Sequence, residues 1–358
     1  MVSLKLTRGK AEFVKRKLPS GEVEDVCLCA WNADFSVRGC IAQVPSKLIR
    51  EVLQHNGEYA PGSIEEHRKK FNLDNRCLYC YAKGAGRGNW GKVTPKSIDE
   101  KTLEDFETFH PEIIRIGKNT ECGHKLYKHQ LTRLLDLCEE FDTQVIFPTK
   151  MLEFEEELAE QLKKIRGVLN YSITYDSEKI EPGIISQGYT NAWRIKQAEQ
   201  YYKAGVNTTL TITCNLTQSI LDNVKFDSAI ELALKSHGKT GIPLRLLPLR
   251  IPSRKLALLV SGKQWGEIVS PRGDEDQRDL FNGEYLFRKR GNNEAYPQIP
   301  HEDFITMLNS GIGACGRIGN DEYCDACNLY PQRTVFPASE LIQVEYNRDR
   351  KRRPEKKR

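Results

Sequence analysis

The chain has 358 residues, of which 39% are hydrophobic and 29% are charged, and its mean hydropathy is −0.56. These values are typical of a water-soluble protein that is long enough for one large α/β domain with an appendage. No apolar run approaches the ~20 residues that a membrane-spanning helix needs, and residues 1–22 lack the apolar segment of a secretory signal. We therefore expect a cytoplasmic protein with no membrane partner.

A strand-then-helix alternation organises the first 260 residues. An apolar strand at 24–31 comes first, and the regular alternation begins at about residue 108. The later predicted strands are 110–117, 143–149, 167–174, 207–216 and 242–251, and the predicted helices are 125–141, 154–165, 190–205 and 219–237. This pattern indicates βα units around a parallel sheet. By itself it does not distinguish a partial barrel from a doubly wound sheet or a complete eight-fold barrel.

The alternation stops near residue 260, where the chain becomes polar and rich in turn-forming residues. We predict a C-terminal extension at 261–346 and a disordered basic tail at 347–358. The tail has eight Lys or Arg and two acidic residues, a net charge of +6, whereas the whole chain has +5. Such a tail can hold a polyanion such as nucleic acid, or it can serve only to keep the protein soluble.

Eleven cysteines are many for a chain expected in the reducing cytosol, where clustered thiols indicate metal binding rather than disulfides. Cys77 and Cys80 lie three positions apart in the run CLYCYA, and this spacing lets both sulfurs bind one metal centre. Cys40 ends the run SVRGC and is the candidate third ligand. Three thiolates would leave one iron of a cubane cluster open to a small molecule.

The split run RGC…CLYCYA resembles the radical S-adenosylmethionine (SAM) superfamily, and most of all its spore-photoproduct-lyase-like and phage-type members. The resemblance covers about residues 40–260. It implies a partial (β/α)6 TIM-like barrel over 1–260, with a [4Fe-4S] cluster held by Cys40, Cys77 and Cys80. The family usually spaces its ligands C-x-x-x-C-x-x-C, but Leu73 stands four positions before Cys77. We therefore predict an insertion at about 41–76 between the first two ligands.

Three alternatives to this ligand set stay open. Cys27 or Cys29 can take the place of Cys40 as the first ligand. The C-x-x-C pair can hold zinc instead of iron. The first site can also be degenerate, because Leu73 does not bind iron, and the protein would then be a catalytically inactive barrel that serves as an interaction scaffold.

The resemblance also implies residues that bind SAM after two of the strands. Gly117 and Glu121 match positions that hold the SAM amino group, although the family's paired glycines are absent. Lys150 matches a lysine near the SAM carboxylate, to which it offers a point charge. An ordinary acidic loop residue and a solvated surface lysine are the alternative interpretations of Glu121 and Lys150.

The stretch 145–215 is the most specific part of the resemblance after CLYCYA. It contains the run Ser172-Ile173-Thr174, then Glu181-Pro182, and then Arg194 in the next helix. The resemblance implies that Ser172 contacts SAM and that Arg194 pairs with the SAM carboxylate, which suits a guanidinium group. A structural ion pair is the alternative for Arg194. Tyr79, between the two cysteines of CLYCYA, matches the aromatic residue beside the SAM adenine.

A second cysteine group lies in the extension. It has the spacing C-x8-C-x2-C and consists of Cys315, Cys324 and Cys327. A closed tetrahedral site needs a fourth ligand, for which the candidates are Cys122, Cys27, Cys29 and His124. The group predicts a second iron–sulfur cluster or a structural zinc, and the sequence does not choose between the two metals.

The resemblance implies a radical SAM enzyme of lyase or oxidoreductase type. In such enzymes the reduced cluster cleaves SAM to a 5′-deoxyadenosyl radical, which abstracts a hydrogen atom from the substrate. A reducing partner such as flavodoxin or ferredoxin would supply the electron. The likeness to photoproduct lyases and the basic tail favour nucleic acid as the substrate, while a peptide or a small molecule stays open. The rival function is a zinc-containing nucleic-acid-binding protein.

Overall fold

The structure is a computed structural model that describes residues 2–17, 20–37, 40–43, 77, 93–117, 120–249, 251, 254–270, 286–290, 294–297, 300–310, 312–314 and 341–345. Its strands are β1 (Val2–Ser3), β2 (Thr7–Lys17), β3 (Val23–Ala33), β4 (Ser36–Val37), β5 (Thr94–Ser97), β6 (Ile113–Ile116), β7 (Gln144–Thr149), β8 (Val168–Thr174), β9 (Asn207–Cys214), β10 (Leu244–Pro248), β11 (Phe287–Arg290), β12 (Glu294–Pro297), β13 (Gly313–Ala314) and β14 (Leu341–Glu345).

The α-helices are α1 (Glu100–Phe109), α2 (Lys128–Glu140), α3 (Glu156–Lys164), α4 (Ser177–Ile180), α5 (Pro182–Ile185), α6 (Asn191–Lys203), α7 (Ile220–Phe226), α8 (Ala229–Thr240), α9 (Arg254–Ser261), α10 (Trp265–Ile268) and α11 (Glu302–Asn309). Two short 3-10 turns lie at Ile41–Gln43 and Lys125–Tyr127. No helix in the described part of the chain is long and apolar enough to cross a membrane.

The main sheet has nine strands in the order β13-β10-β9-β8-β7-β6-β3-β2-β14. The seven strands from β13 to β3 are parallel, and β2 and β14 add to them by antiparallel pairing. Six of the parallel strands, β3 and β6 to β10, lie side by side in the sheet in the same order as they occur along the chain, and these are the strands predicted from the sequence. The predicted α/β class with βα units is therefore confirmed. Among the described strands the sheet is open, with β13 and β14 at its edges.

The two faces of the main sheet differ in polarity at β8. Because side chains alternate along a strand, Tyr171 lies on the opposite face from Asn170, Ser172 and Thr174. The Tyr171 ring lies against Tyr201 of α6, with ring centroids 6.3 Å apart, so α6 covers the apolar face. On the other face, the last three side chains of β8 are all polar: Asn170, Ser172 and Thr174.

The helix predicted at 219–237 is in fact two helices, α7 and α8, which meet at Asp227. The Asp227 side chain explains the break, because it accepts hydrogen bonds from three other segments. Its Oδ1 accepts from Ala229 N at 2.8 Å, and its Oδ2 accepts from Ser177 Oγ at 3.0 Å and from Asn191 Nδ2 at 2.7 Å. Aspartate commonly interrupts helices through such bonds. Here they tie the junction to α4 and to the start of α6.

Several strands were not predicted. Of these, β2, β13 and β14 lie at the margins of the main sheet, and the others form two small sheets, one of which pairs β11 with β12. The long strand β3 pairs with β2 over most of its length, and only its residues 30–33 pair with β6. The segment predicted as a C-terminal extension supplies β13 and β14, which pair with opposite edges of the main sheet. A small separate sheet has the order β1-β5-β4. Residues 44–76 of the predicted insertion and the whole predicted tail lie outside the described residues.

Candidate functional site

The predicted SAM-binding residues that the structure describes lie at one edge of the main sheet. In a parallel sheet the carboxyl ends of the strands meet at the same edge, where ligands usually bind. Gly117 directly follows β6, Lys150 directly follows β7, and Ser172 lies near the end of β8. Cys40 comes to the same edge from the segment after β4. The fold thus brings together residues from distant parts of the chain.

Glu121 is buried, and three donors hold its carboxylate. The Oε1 atom accepts hydrogen bonds from Gly123 N at 2.8 Å and from Thr149 Oγ1 at 2.7 Å, and Oε2 accepts one from Lys150 N at 2.8 Å. Burial raises the pKa of Glu121 above its ordinary value, and the bond from Thr149 is the largest opposing influence. A carboxylate oxygen can accept two hydrogen bonds, so Oε2 has room for one further donor.

Gly123 leaves the space that this arrangement needs. A Cβ atom at this position would press on Thr149 Oγ1 and lie 2.8 Å from Leu152 N and 3.0 Å from Glu121 Oε1. We expect Gly123→Ala to lower the free energy of unfolding by about 1–3 kcal/mol, because the neighbouring groups must shift. The matched control is Gly238→Ala within α8, where an added Cβ has nothing within 4 Å. This control should raise the free energy of unfolding by about 0.5–1 kcal/mol in urea denaturation, and equal effects of the two variants would contradict the argument.

Cys40 is connected to Glu121 through the backbone. The N–H of Glu121 donates to Cys40 Sγ at 3.2 Å. Cys40 and Cys77 are both half-buried. Cys80, the third predicted ligand, lies outside the described residues, as does Tyr79. Among the described residues no group of three or more His, Cys, Asp or Glu side chains is arranged to hold a metal, so the three-cysteine cluster stays a prediction.

The positions of the alternative first ligands favour Cys40. Cys27 and Cys29 lie within β3, in the part that pairs with β2. Because a strand rises ~3.3 Å per residue, Cys27 lies roughly 20 Å and Cys29 roughly 13 Å before Ala33, where the strand ends. Cys40, by contrast, contacts Glu121 at the carboxyl edge.

Glu181 joins two cations at this edge. Its Oε1 lies 2.7 Å from Lys150 Nζ, and its Oε2 accepts from Arg194 Nη1 at 2.7 Å. The side chains of Glu181 and Arg194 are 0% exposed, and that of Lys150 is 14% exposed. Since the backbone N–H of Lys150 donates to Glu121, a connected chain of contacts runs from Cys40 through Glu121, Lys150 and Glu181 to Arg194.

Arg194 is buried in an ion pair, as the alternative interpretation of this residue expects. Its Nε donates to Tyr189 O at 3.0 Å, and its Nη1 donates to Ser172 O at 3.1 Å and to Asn191 Oδ1 at 3.0 Å in addition to Glu181. Its Nη2 is buried and has no hydrogen-bond partner among the described residues. A contact from Arg194 to SAM stays a prediction, and Nη2 is the atom available for it.

A second polar group at this edge was missed by the sequence analysis. Asp34 directly follows β3, and its Oδ1 accepts from Thr120 Oγ1 at 3.5 Å. Burial lowers the pKa of Lys96, an effect that the nearby Asp34 carboxylate opposes. Burial also raises the pKa of the Cys122 thiol well above its ordinary value, so Cys122 is a neutral thiol. The position of Asp34 directly after a strand was the signal that could have found it.

His124, one of the candidate fourth ligands of the second metal site, has a local structural role. Its Nδ1 accepts from Leu126 N at 3.1 Å and caps the turn Lys125–Tyr127. Burial lowers the pKa of His124 to about 3, so the imidazole is neutral near pH 7. The cysteines that His124 would join lie outside the described residues; they are Cys315, Cys324 and Cys327.

Comparisons of the chain with protein-family models, with curated proteins and with solved structures find no match. What the site does is therefore inferred from the residues of this chain and from their geometry.

Proposed function

We propose that the protein is a radical SAM enzyme whose [4Fe-4S] cluster is held by the three predicted cysteines. The observation that supports this most is the connected chain of contacts from Cys40 through Glu121 and Lys150 to Arg194. The resemblance assigned these four residues to one cofactor site, although they lie in four separate segments of the chain. Their convergence at the carboxyl edge of a parallel sheet is what a shared ligand requires.

The residues present fit the amino-acid part of SAM. Glu121 Oε2 has room for one more donor, which suits an ammonium group. Arg194 Nη2, which has no hydrogen-bond partner among the described residues, and the Lys150 ammonium group, whose side chain is 14% exposed, are donors that suit a carboxylate. The N–H donated to Cys40 Sγ stabilises thiolate charge, and such bonds tune the potential of a cluster.

When bound, the cluster and SAM supply one-electron cleavage and hydrogen abstraction, with a reducing partner such as flavodoxin or ferredoxin as the electron source. The protein binds and orients them. Gly117 has φ +75°, and an added Cβ would lie 2.8 Å from Thr120 O, so only glycine allows the turn after β6.

We also propose a partial (β/α)6 barrel for strands β3 and β6 to β10. Two observations support this: the strands lie in the sheet in the same order as along the chain, and one face of β8 carries the polar residues Asn170, Ser172 and Thr174. Barrel enzymes bind substrate at the carboxyl ends of such strands. We also propose that Cys315, Cys324 and Cys327 bind a second iron–sulfur cluster or zinc, and that this second metal takes no part in SAM cleavage.

Anaerobic reconstitution with iron and sulfide tests the proposal. We expect a brown protein with visible absorbance that, once reduced, converts SAM to methionine and 5′-deoxyadenosine. A protein that contains zinc and no iron would support the zinc-binding alternative. A protein that binds no cluster at all would support the inactive scaffold.

Lys150 provides a residue-level prediction. Loss of a charge-assisted contact typically costs about 1.5–3 kcal/mol, so Lys150→Gln should weaken SAM binding to the reconstituted protein roughly tenfold or more. The matched control is Lys128→Gln, which removes a surface lysine paired with Glu155. Equilibrium dissociation constants for SAM compare the two variants. If Lys150→Gln binds SAM as the wild type does, Lys150 has a structural role, which includes its pair with Glu181, and does not bind SAM.

The basic tail gives a prediction for nucleic acid as a partner. Deletion of residues 347–358 removes a net charge of +6. Phosphate contacts by Lys and Arg dominate salt-dependent affinity, so the truncated protein should bind DNA or RNA more weakly at low salt and with a shallower salt dependence. SAM cleavage should not change. If the full-length protein does not bind either polymer even at low salt, a peptide or small-molecule substrate becomes the better proposal.

A further inference from the structure

One face of the main sheet is lined with polar side chains from three adjacent strands. Strand alternation and register place Asn170, Ser172 and Thr174 of β8 opposite Thr209, Thr211 and Thr213 of β9, and Thr211 opposite Arg245 of β10. We call these seven residues the polar face. It is the side of β8 opposite to the one that α6 covers.

Three adjacent groups on the polar face are buried and unused. Asn170 Oδ1, Thr209 Oγ1 and Arg245 Nε have no hydrogen-bond partner among the described residues. Asn170 is 6% exposed and Thr209 is 0% exposed, and the two are direct register partners. Buried polar groups in proteins are nearly always hydrogen-bonded, because an unmet group costs stability. Neighbouring unmet groups therefore indicate a ligand that satisfies them.

The chemistry of the polar face suits a negatively charged ligand. The Nη2 of Arg245 donates to Thr211 Oγ1 at 3.2 Å, which holds the guanidinium against the sheet and leaves Nε as an unused donor. On the other side of Arg245, the register partner in β13 is Gly313, which has no side chain to cover it. The polar face includes one arginine and no acidic residue.

We propose that the polar face binds an oxyanion, a phosphate or a carboxylate group, with Arg245 as the anchor. A guanidinium group is well matched to oxyanions, and the Thr209 hydroxyl can donate a further hydrogen bond. Asn170 Oδ1 is an acceptor, and it can take a hydrogen bond from the P–OH group of a monoprotonated phosphate. Thr174, at the upper end of the polar face, donates to Glu181 Oε1 at 2.9 Å, so this face leads directly to the candidate SAM site. That the oxyanion belongs to the substrate rests on the proposed function, whereas the oxyanion site itself does not.

The test is calorimetric titration of the full-length protein, without a reconstituted cluster, with inorganic phosphate and separately with succinate. We expect saturable binding of at least one, and the tighter ligand assigns the group as phosphate or carboxylate. Arg245→Gln should weaken this binding about tenfold or more, as loss of a charge-assisted contact does. The matched control is Arg133→Gln at an exposed position of α2, which removes the same charge and should bind as the wild type does.

Thr209→Val is a second variant that keeps the side-chain shape. It removes an unmet buried hydroxyl, so the ligand-free protein should be as stable as the wild type or more stable, while oxyanion binding should weaken. The proposal is overturned if neither ion binds, if both polar-face variants bind normally, or if Arg133→Gln weakens binding equally. SAM cleavage is assayed separately on reconstituted protein. Oxyanion binding without SAM cleavage would refute only the proposed function, and the reverse result would refute only the oxyanion site.

Discussion

Substitution of Cys40 by alanine is expected to remove the cluster that cleaves SAM. Cys40 is the proposed first ligand, and it contacts Glu121 at the carboxyl edge of the sheet. Loss of an outer-shell partner of a metal typically costs about 10–100-fold in metal affinity or activity, and loss of a ligand should cost at least as much. Iron content, visible absorbance and SAM cleavage after anaerobic reconstitution measure the effect. Cys77→Ala and Cys80→Ala should behave in the same way.

Cys27→Ala is the matched control for this prediction. Cys27 lies within β3, roughly 20 Å before the carboxyl end of that strand at ~3.3 Å per residue. The control should therefore keep its SAM-cleaving cluster. If Cys40→Ala retains full iron content and activity while Cys27→Ala loses both, Cys27 is the first ligand and the split-motif interpretation is wrong.

Glu181→Gln is expected to have the largest effect on stability. Glu181 and Arg194 are 0% exposed and their charged atoms lie 2.7 Å apart. Removal of one partner from a buried ion pair leaves an uncompensated charge in the interior and typically costs about 3–5 kcal/mol. Lys150 loses the same partner, but its side chain is 14% exposed, so it can turn towards water. Urea denaturation followed by circular dichroism gives the free energy of unfolding.

Two further variants separate the buried charge from a general loss of packing. Glu181→Gln combined with Arg194→Met removes both charges and should recover part of the lost stability, because replacement of a whole buried pair is often tolerated. Glu231→Gln removes an exposed acid that pairs with Lys235 in α8 and should change stability by less than about 0.5 kcal/mol. A Glu181→Gln variant as stable as Glu231→Gln would show that Arg194 does not depend on this pair.

The local pattern of apolar and polar residues was sufficient to predict the strands that form the centre of the main sheet. The predicted strand at 167–174 is β8, Val168–Thr174, because the alternation of its side chains depends only on adjacent residues. The predicted helix at 219–237 was wrong in its continuity, since Asp227 bonds to Ser177 and Asn191 across the fold. The strand β2 was missed because a sequence as charged as TRGKAEFVKRK has little apolar alternation.

Some residues of the candidate site could also be predicted from local sequence, and others could not. Gly117 and Lys150 were located from the sequence because each directly follows a strand, and the ends of parallel strands meet at one edge. Asp34 also follows a strand and was missed, because no motif drew attention to it. The pairing of Glu181 with both Lys150 and Arg194 has no local signal at all.

The sequence by itself determined the order of the βα units and the edge of the sheet at which polar residues collect, because periodicity and strand ends are local properties. Only the tertiary structure decided that Arg194 is fully buried against Glu181. It also placed Asn170 beside Thr209, where Asn170 Oδ1 and Thr209 Oγ1 have no hydrogen-bond partner in the part of the chain that the structure describes. The physical reason is that the free energy of a buried charge or hydroxyl depends on the atoms within hydrogen-bonding distance. Those atoms come from segments far away in the chain, so the folded arrangement alone specifies them.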